Sequence, residues 1–256
     1  MVKTLIENFP KTDRIPAQDG SKILDISECF ADTIQGENFT GVPSIFLRMQ
    51  YCTLNCVWCD TAEVWRKGNK YSVDEVVKLF KDNGVIERLY DKNHHLVLTG
   101  GSPVRQQEGL NELIEKIRDK DLSYHVPFVE VENECTLMPS ISFASKISRW
   151  NNSPKLANSG MKKDVRYKPD VIDFLARQED SWFKFVIMGK DDWKEIEEDF
   201  INPGLIDRSQ IVLMPEGMTR EELQKKYQET VDLCCKEGVR MTDRFHVTIF
   251  DRVVGV

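Results

Sequence analysis

Three cysteines lie within eight consecutive residues at C-x3-C-x2-C spacing, as Cys52, Cys56 and Cys59. An apolar segment, 45–47, precedes them and is typical of a strand. Thiolates are the soft ligands that zinc and iron–sulfur clusters prefer. Structural zinc sites need four ligands and usually come as two ligand pairs, and the sequence shows no second pair. The spacing alone therefore favours a cluster, but leaves zinc and simple packing of the thiols open.

The number of cysteines also bears on the chemistry. A cubane cluster has four irons and usually takes four cysteines. Three close cysteines with no nearby fourth would leave one iron open to a substrate or cofactor. The spacing, with the aromatic Trp58 before the last cysteine, resembles the radical S-adenosylmethionine (SAM) superfamily. That resemblance implies a 4Fe–4S cluster whose open iron is chelated by the amino and carboxylate groups of SAM, and whose reduction cleaves SAM to a 5′-deoxyadenosyl radical.

Composition excludes several classes of function. The chain has 256 residues and a formal net charge of −7, which argues against non-specific binding to nucleic acid or acidic membranes. No apolar run approaches the roughly 18–20 residues of a membrane span, and residues 1–10 do not form a signal peptide. Seven cysteines, an odd number, fit ligation in a reducing compartment better than a disulfide framework. We expect a cytoplasmic protein without nucleic-acid or membrane partners.

Strand and helix patterns alternate along the chain. Strand patterns fall at 23–31, 44–49, 95–98, 127–131, 147–150, 182–188, 210–214 and 245–250. Helix patterns fall at 73–80, 110–117, 169–178, 191–200 and 219–238, two of them opened by capping boxes at 72–75 and 219–222. The alternation predicts an α/β domain with a mainly parallel sheet, of about six units that form an incomplete (β/α)6-type barrel of the radical SAM kind. We expect an irregular lead-in at 1–22 and one radical SAM partial-barrel domain at 23–256.

Chemically distinctive loops follow four of the predicted strands. They are the cysteine loop and the segments 99–103, 153–155 and 214–217. In parallel α/β folds, the chemistry lies on loops at the carboxyl ends of the strands. We therefore expect these four loops to meet at one rim and form the site.

Short motifs in one uninterrupted order carry a more specific resemblance. They are Gln35-Gly36-Glu37, Gly41-Val42-Pro43-Ser44, Phe46-Leu47-Arg48, Cys52 to Thr61, Thr99-Gly100-Gly101, Ser153-Pro154-Lys155 and Met214-Pro215-Glu216-Gly217. From about residue 26 onward, this order resembles the 7-carboxy-7-deazaguanine synthase family. The resemblance implies a carbon–nitrogen lyase that converts 6-carboxy-5,6,7,8-tetrahydropterin to 7-carboxy-7-deazaguanine with loss of ammonia, in biosynthesis of queuosine-type deazapurines. It also implies regenerated SAM, Mg²⁺, a reductase such as flavodoxin or ferredoxin, and a homodimer.

The same resemblance implies roles for individual residues, none of them a catalytic acid or base. The metal-binding residues are Cys52, Cys56 and Cys59 for the cluster and Thr61 for magnesium. The SAM-binding residues are Gly101, Ser153, Pro154, Lys155, Met214, Pro215, Glu216 and Gly217. The substrate-binding residues are Ile34, Gln35, Gly36, Arg48, Thr99 and the terminal carboxylate of Val256. Without the resemblance, a helix cap is the favoured explanation of Thr61, and a strand-end ion pair that of Arg48. With it, the arginine fork suits a substrate carboxylate.

Two departures from the family pattern fall in the loops. The usual Gly-Gly-Glu is Gly100-Gly101-Ser102 here, which removes a carboxylate expected near the SAM amino group. The usual Glu-Thr-Asn-Gly reads Glu132-Asn133-Glu134-Cys135, and the following segment 136–150 looks long. Two alternatives stay open: an activating enzyme that installs a glycyl radical on a partner protein, and a metal-binding homologue with impaired catalysis.

Overall fold

The computed structural model describes residues 2–8, 14–36, 40–91, 93–118 and 126–251. Ten strands of these segments form one sheet in the order β1-β2-β3-β5-β6-β7-β8-β9-β10, with β4 paired to β2. The strands are β1 (Lys3–Ile6), β2 (Ile23–Ile34), β3 (Pro43–Met49), β4 (Asn69–Ser72), β5 (His95–Gly100), β6 (Phe128–Asn133), β7 (Arg149–Asn152), β8 (Ser181–Ile187), β9 (Ile211–Pro215) and β10 (Arg240–Met241). Every pairing from β3 to β10 is parallel, whereas β1, β3 and β4 all pair antiparallel with β2. The mixed α/β architecture with a mostly parallel sheet confirms that part of the predicted fold class.

Helices connect the parallel strands. They are α1 (Ala62–Trp65), α2 (Val73–Asp82), α3 (Val85–Asp91), α4 (Gln107–Ile117), α5 (Ile141–Ala144), α6 (Lys163–Arg166), α7 (Pro169–Ala176), α8 (Asp192–Ile196), α9 (Arg220–Glu237) and α10 (Phe245–Phe250). One turn of π-helix, Glu197–Ile201, extends α8, and short 3₁₀ turns occupy Pro103–Gln106, Ala157–Ser159 and Arg208–Gln210. In the segments described here, no helix is both long and apolar enough to cross a membrane.

The core lies between the sheet and these helices. Strand β9 is buried at every position, and Leu96, Val97 and Leu98 in β5 are fully buried. Such uninterrupted apolar strands are typical of a parallel sheet that is covered on both faces. On the helix side, α4 buries Leu110 and Leu113 completely. The covered sheet leaves the ends of its strands as the places where a ligand can enter.

Of the two predicted capping boxes, the one at 72–75 is complete and the one at 219–222 is formed in part. The Ser72 hydroxyl accepts a hydrogen bond from Glu75 N (3.1 Å), and Glu75 Oε2 accepts one from Ser72 N (2.8 Å), which completes the capping box. At α9, Thr219 accepts from Glu222 N (3.2 Å), but the Glu222 carboxylate accepts from Met218 N instead of Thr219 N. Helix α9 ends at Gly238, whose φ of +68° only glycine adopts without strain.

Two predicted elements at the ends of the chain differ in the structure. The segment 1–22, expected to be irregular, contains β1, which pairs with the edge of β2. The segment 245–250, predicted as the last strand, is helix α10, so that prediction is wrong. Its alternating apolar residues suggested a strand, but β10 already pairs with β9 at that end of the sheet. Helix α10 instead places Phe245 and Phe250 against the cavity at the carboxyl ends of the strands.

Two glycines allow the end of β5 to pack closely against the backbone that follows β3. A Cβ atom on Gly101 would lie 2.2 Å from Tyr51 O and 2.6 Å from Cys52 N. At Gly100, where φ is +130°, it would lie 2.3 Å from Met49 O. Backbone atoms cannot move aside as a flexible side chain can. The glycine pair is therefore required for the start of the cysteine loop to pack against the end of β5.

This contact generates a stability prediction. Gly101→Ala should destabilise the fold by about 1–3 kcal/mol, the usual cost of overpacking, because its Cβ would push on the backbone at Tyr51. Gly189→Ala is the matched control, since its Cβ would lie 3.9 Å from the nearest atom, on Glu229. Denaturant unfolding of the two variants measures the difference. Equal unfolding midpoints would contradict the argument.

Candidate active site

A cavity of about 540 Å³ lies at the carboxyl ends of the parallel strands. Residues that follow β3, β5, β6 and β7 line it, and Met214 in β9 and Met218 beyond it complete that side. The four loops expected at one rim therefore do contribute to one site. Residues of helix α10 and of the end of β2 also line the cavity.

The three cysteines of the motif all line this cavity. Their loop is fixed to the short 3₁₀ turn after β7. Val57 N donates to Ser159 O (3.0 Å), and the Trp58 indole N–H donates to Asn158 O (3.1 Å). Inside the loop, Cys59 N donates to Cys56 O (3.2 Å). The backbone thus holds the three thiols toward the same space.

The protonation of the thiols depends on burial. Burial, with a smaller contribution from the charge of Glu134, raises the pKa of Cys52 to about 12. Burial also raises the pKa of Cys56, although the ammonium of Lys155 acts in the opposite direction. The metal-free thiols of Cys52 and Cys56 are therefore protonated at neutral pH. Since iron and zinc bind the thiolate, metal binding must release protons from this loop.

The predicted SAM-binding residues divide into two sets. Gly101, Ser153, Lys155 and Met214 line the cavity. Pro154, Pro215, Glu216 and Gly217 are not among the described residues that line it. Glu216 instead pairs with Lys226 (2.6 Å), and the carbonyl of Gly217 accepts from Arg244 Nη1 (3.1 Å).

Lys155 brings a positive charge close to the cysteines. Its Nζ donates to Ser153 O (2.5 Å) and Ser153 Oγ (2.8 Å), and lies 5.8 Å from the centre of the Trp58 ring. These contacts keep the ammonium at the cysteine side of the cavity. A cation there favours anionic ligands and cofactors.

The predicted substrate-binding residues that the structure describes also line the cavity; Val256 lies outside the described residues. They are Ile34, Gln35, Gly36, Arg48 and Thr99. Arg48 Nε donates to Glu28 Oε1 (2.8 Å), with both side chains largely buried. Thr99 Oγ1 donates to Glu132 Oε2 (2.5 Å). One edge of the guanidinium is therefore fixed, while the residue still faces the cavity.

A buried carboxylate beneath the cavity orients Gln35. Glu130 is fully buried, and its Oε2 accepts from Gln35 Nε2 (3.2 Å) and Asn151 Nδ2 (2.6 Å). Its Oε1 contacts His95 Nδ1. Gln35 Oε1 also accepts from Gly36 N (2.8 Å). The side chain of Gln35 is thus engaged in a structural network, a role that the motif alone did not indicate.

Thr61, the predicted magnesium ligand, lines the cavity at the start of α1. Its side chain makes no capping hydrogen bond, so the helix-cap explanation does not account for it. The neighbouring Asp60 contacts Arg244 and lies 3.7 Å from His246 Nε2. Although burial opposes it, the Arg244 guanidinium, with help from His246, holds the pKa of Asp60 well below its usual range. A permanent negative charge therefore lies beside Thr61.

Sequence reasoning missed several residues of the site. Asp243, Arg244, His246 and the apolar side chains of α10 line the cavity, but the strand predicted there gave no reason to place them in it. Lys184, near the middle of β8, also lines it and carries no motif. The segment around Glu134 was noted only as a departure.

Glu134 has an unusual set of contacts. Its Oε1 accepts from Ser102 Oγ (2.6 Å), and Thr53 Oγ1 and Thr136 Oγ1 each lie 2.8 Å from it. The two threonine hydroxyls are also 2.6 Å apart, so that one of them donates to the other and the other to Glu134. The residue is only 5% exposed and lines the cavity. Its Oε2 is buried and has no hydrogen-bond partner among the described residues.

Comparison with known proteins gives one consistent result. A family model described as a 4Fe-4S single cluster domain matches residues 35–130. The 7-carboxy-7-deazaguanine synthase of Pyrobaculum aerophilum is 31% identical over 234 residues, which cover 90% of this chain and 96% of the relative. The enzyme of the same name from Halobacterium salinarum is 30% identical over 258 residues, covering 94% and 96%.

The fold also has a solved counterpart. The crystal structure of QueE from Escherichia coli superimposes with a TM-score of 0.62 at 20% identity, over 88% of this chain and 95% of that chain. The similarity to the curated relatives extends over nearly the full length of both chains, and includes the cysteine loop and the strands that carry the cavity. The chain therefore belongs to the 7-carboxy-7-deazaguanine synthase family.

Proposed function

We infer that this protein is a radical SAM lyase that converts 6-carboxy-5,6,7,8-tetrahydropterin to 7-carboxy-7-deazaguanine with loss of ammonia. The observation that carries the inference is the convergence of the three thiols with Arg48, Thr99 and Lys155 on one cavity, in a chain of this family. When bound, a 4Fe–4S cluster and SAM supply a 5′-deoxyadenosyl radical. The protein's own task is then to hold the pterin and SAM in position.

The cavity has two chemically different ends, which fit the two ligands. Gly101 packs against the backbone at Cys52, and Lys155 lies by Trp58 of the cysteine loop. We assign this end of the cavity, together with Ser153 and Met214, to the cluster and SAM. We assign an indirect part in SAM binding to four residues of the same loops, which position the loop backbone. They are Pro154, Pro215, Glu216 and Gly217. An open volume of about 540 Å³ is in the range of small-molecule sites.

The other end suits a pterin carboxylate. Arg48 lies beside Thr99 across the β3–β5 pair, and Ile34, Gln35 and Gly36 approach from the end of β2. Glu28 engages only Nε of Arg48, which leaves the Nη atoms to form charge-assisted bonds with a carboxylate. Thr61, with the negative charge of Asp60 beside it, is the residue we assign to Mg²⁺, which prefers oxygen ligands.

The wider setting is also a proposal. A cavity lined by strands from β2 to β9 supports a sheet curled into an incomplete (β/α)6-type barrel. All seven cysteines are free, which is consistent with a reducing cytoplasm. Reductive cleavage of SAM requires an electron donor, for which a small reductase such as flavodoxin or ferredoxin is suited. Family resemblance suggests a homodimer.

Product formation tests the proposed function directly. Anaerobically reconstituted and reduced protein, supplied with SAM, Mg²⁺ and the carboxytetrahydropterin, should yield 7-carboxy-7-deazaguanine, detected by mass spectrometry. Cleavage of SAM without that product would support the assignment of radical SAM chemistry but would contradict the assigned substrate.

Each motif cysteine should be required for the cluster. Cys52→Ala, Cys56→Ala and Cys59→Ala should each lose intact cluster and SAM cleavage, because three thiolates are the fewest that hold a cubane with one open iron. Iron and acid-labile sulfide are measured after reconstitution. Cys235→Ala, an exposed position on α9, is the control and should keep the wild-type iron content. Full iron content in all three motif variants would reject the cluster assignment.

Arg48→Lys should impair pterin binding selectively. Lysine keeps the positive charge near Glu28, but lacks the fork that serves two carboxylates at once. Loss of one charged hydrogen bond, about 1.5–3 kcal/mol, corresponds to a rise of roughly tenfold or more in the KM for the pterin. Iron content and SAM affinity should stay unchanged. Arg177→Lys, exposed on α7 and paired with Asp173, is the control; a normal pterin KM in Arg48→Lys would exclude the assigned role.

A further inference from the structure

Glu134 is a buried carboxylate, and among the residues that the structure describes only one of its two oxygens has hydrogen-bond partners. Three hydroxyl groups, from Ser102, Thr53 and Thr136, converge on Oε1 at 2.6–2.8 Å. They belong to the loops after β5, β3 and β6, so the carboxylate is held from three directions. Oε2 is buried without a partner among the described residues. A buried polar atom of this kind is costly unless a ligand completes its hydrogen bonding.

The missing partner must be a hydrogen-bond donor. An ionised carboxylate only accepts hydrogen bonds, so an N–H or O–H group has to face Oε2. Lys155 is the nearby cation, but its Nζ donates to Ser153 and forms no ion pair with Glu134. The carboxylate of Glu132 is engaged with Thr99, on the substrate side. Within the described part of the chain, the donor for Oε2 is thus left to a ligand in the cavity.

The position of Glu134 indicates which ligand this is. Thr53, whose hydroxyl lies 2.8 Å from Glu134 Oε1, directly follows Cys52 in the chain. Glu134 therefore lies at the cysteine end of the cavity. The three cysteines would hold the cluster at that end, so the amino-acid part of SAM would lie there, and its α-amino group would be the available N–H donor.

We propose that Glu134 Oε2 accepts a hydrogen bond from the amino group of SAM, and so provides the carboxylate that Ser102 lacks. This inference rests on the proposed function. Ser102 is fully buried, and its hydroxyl donates to Glu134. The loop after β5 thus supplies the small donor, and the loop after β6 supplies the acid. On this proposal the two departures from the family pattern, at Ser102 and at Glu134, belong together. The carboxylate lies on the loop after β6 instead of on the neighbouring loop after β5.

Binding measurements with three ligands test the role of Glu134. Glu134→Gln keeps the size of the side chain and removes its charge. With iron-loaded protein and no pterin, it should weaken both SAM and S-adenosylhomocysteine by roughly tenfold or more, the effect of losing one charge-assisted hydrogen bond. Methylthioadenosine lacks the α-amino and carboxyl groups of the methionine part of SAM, so its affinity should not change. Calorimetric titration gives the dissociation constants, and Glu221→Gln, exposed on α9, is the control.

The pattern over the three ligands decides between explanations. Unchanged SAM affinity in Glu134→Gln would overturn the proposal. Weakening of SAM but not of S-adenosylhomocysteine would also overturn it, since the contact would then be to the sulfonium. Equal weakening of all three ligands would indicate general damage to the site, and would reject the specific contact.

Ser102→Glu provides a second, independent test. A simple repair of the family motif would tighten SAM binding. With Glu134 already in place, the new carboxylate would meet a like charge in a buried site, so SAM should bind no more tightly than to the wild type. A tenfold gain in affinity would overturn the proposal. Failure of the proposed function would appear separately, as absence of the deazaguanine product from the wild-type enzyme, because these titrations require no turnover.

Discussion

The parallel register between β3 and β5 is the constraint on which the site depends. It sets Arg48 opposite Thr99 and Met49 opposite Gly100, so that the two strands end side by side. Beyond these residues the backbone leaves the sheet: β3 continues as the cysteine loop, and β5 continues as the Gly101–Ser102 turn. Only glycines at 100 and 101 let these backbones approach so closely. The proposed pterin contacts and the cluster loop therefore share one geometric origin.

Two arginines that line the cavity are each paired with a carboxylate. Arg48 is held by Glu28, and Arg244 by Asp60. Each pairing fixes one edge of a guanidinium and lowers the cost of burying the charge. The unpaired oxygen of Glu134, at the cysteine end, is an exception that points to a bound ligand.

The sequence was most informative where motif and strand pattern coincide. Every predicted strand between residues 23 and 214 is present. Strands β5 and β9 show the clearest reason, since the buried strands of a parallel sheet are short apolar runs bounded by polar loops. The cysteines, Arg48 and Thr99 could be placed in one site because they directly follow or end such strands. Contacts made by side chains from distant segments could not be foreseen. Glu130 beneath Gln35 and the three hydroxyls around Glu134 depend on which loops meet, and no local pattern encodes this. The period-two pattern at 245–250 was misleading, because α10 buries its apolar residues against a cavity instead of a sheet.

The start of helix α10 has a consequence for how the cysteine loop is coupled to the rest of the fold. Arg244, directly before this helix, reaches Asp60 across 184 positions of sequence, and Asp60 adjoins the last of the three cysteines. The loop that carries the thiols therefore has an ionic partner from a distant part of the sequence. Contacts of such long range carry a large loop-closure cost unless the intervening strands have already paired. The ion pair beside the cysteine loop thus couples this loop to the folding of the strands between residues 60 and 244.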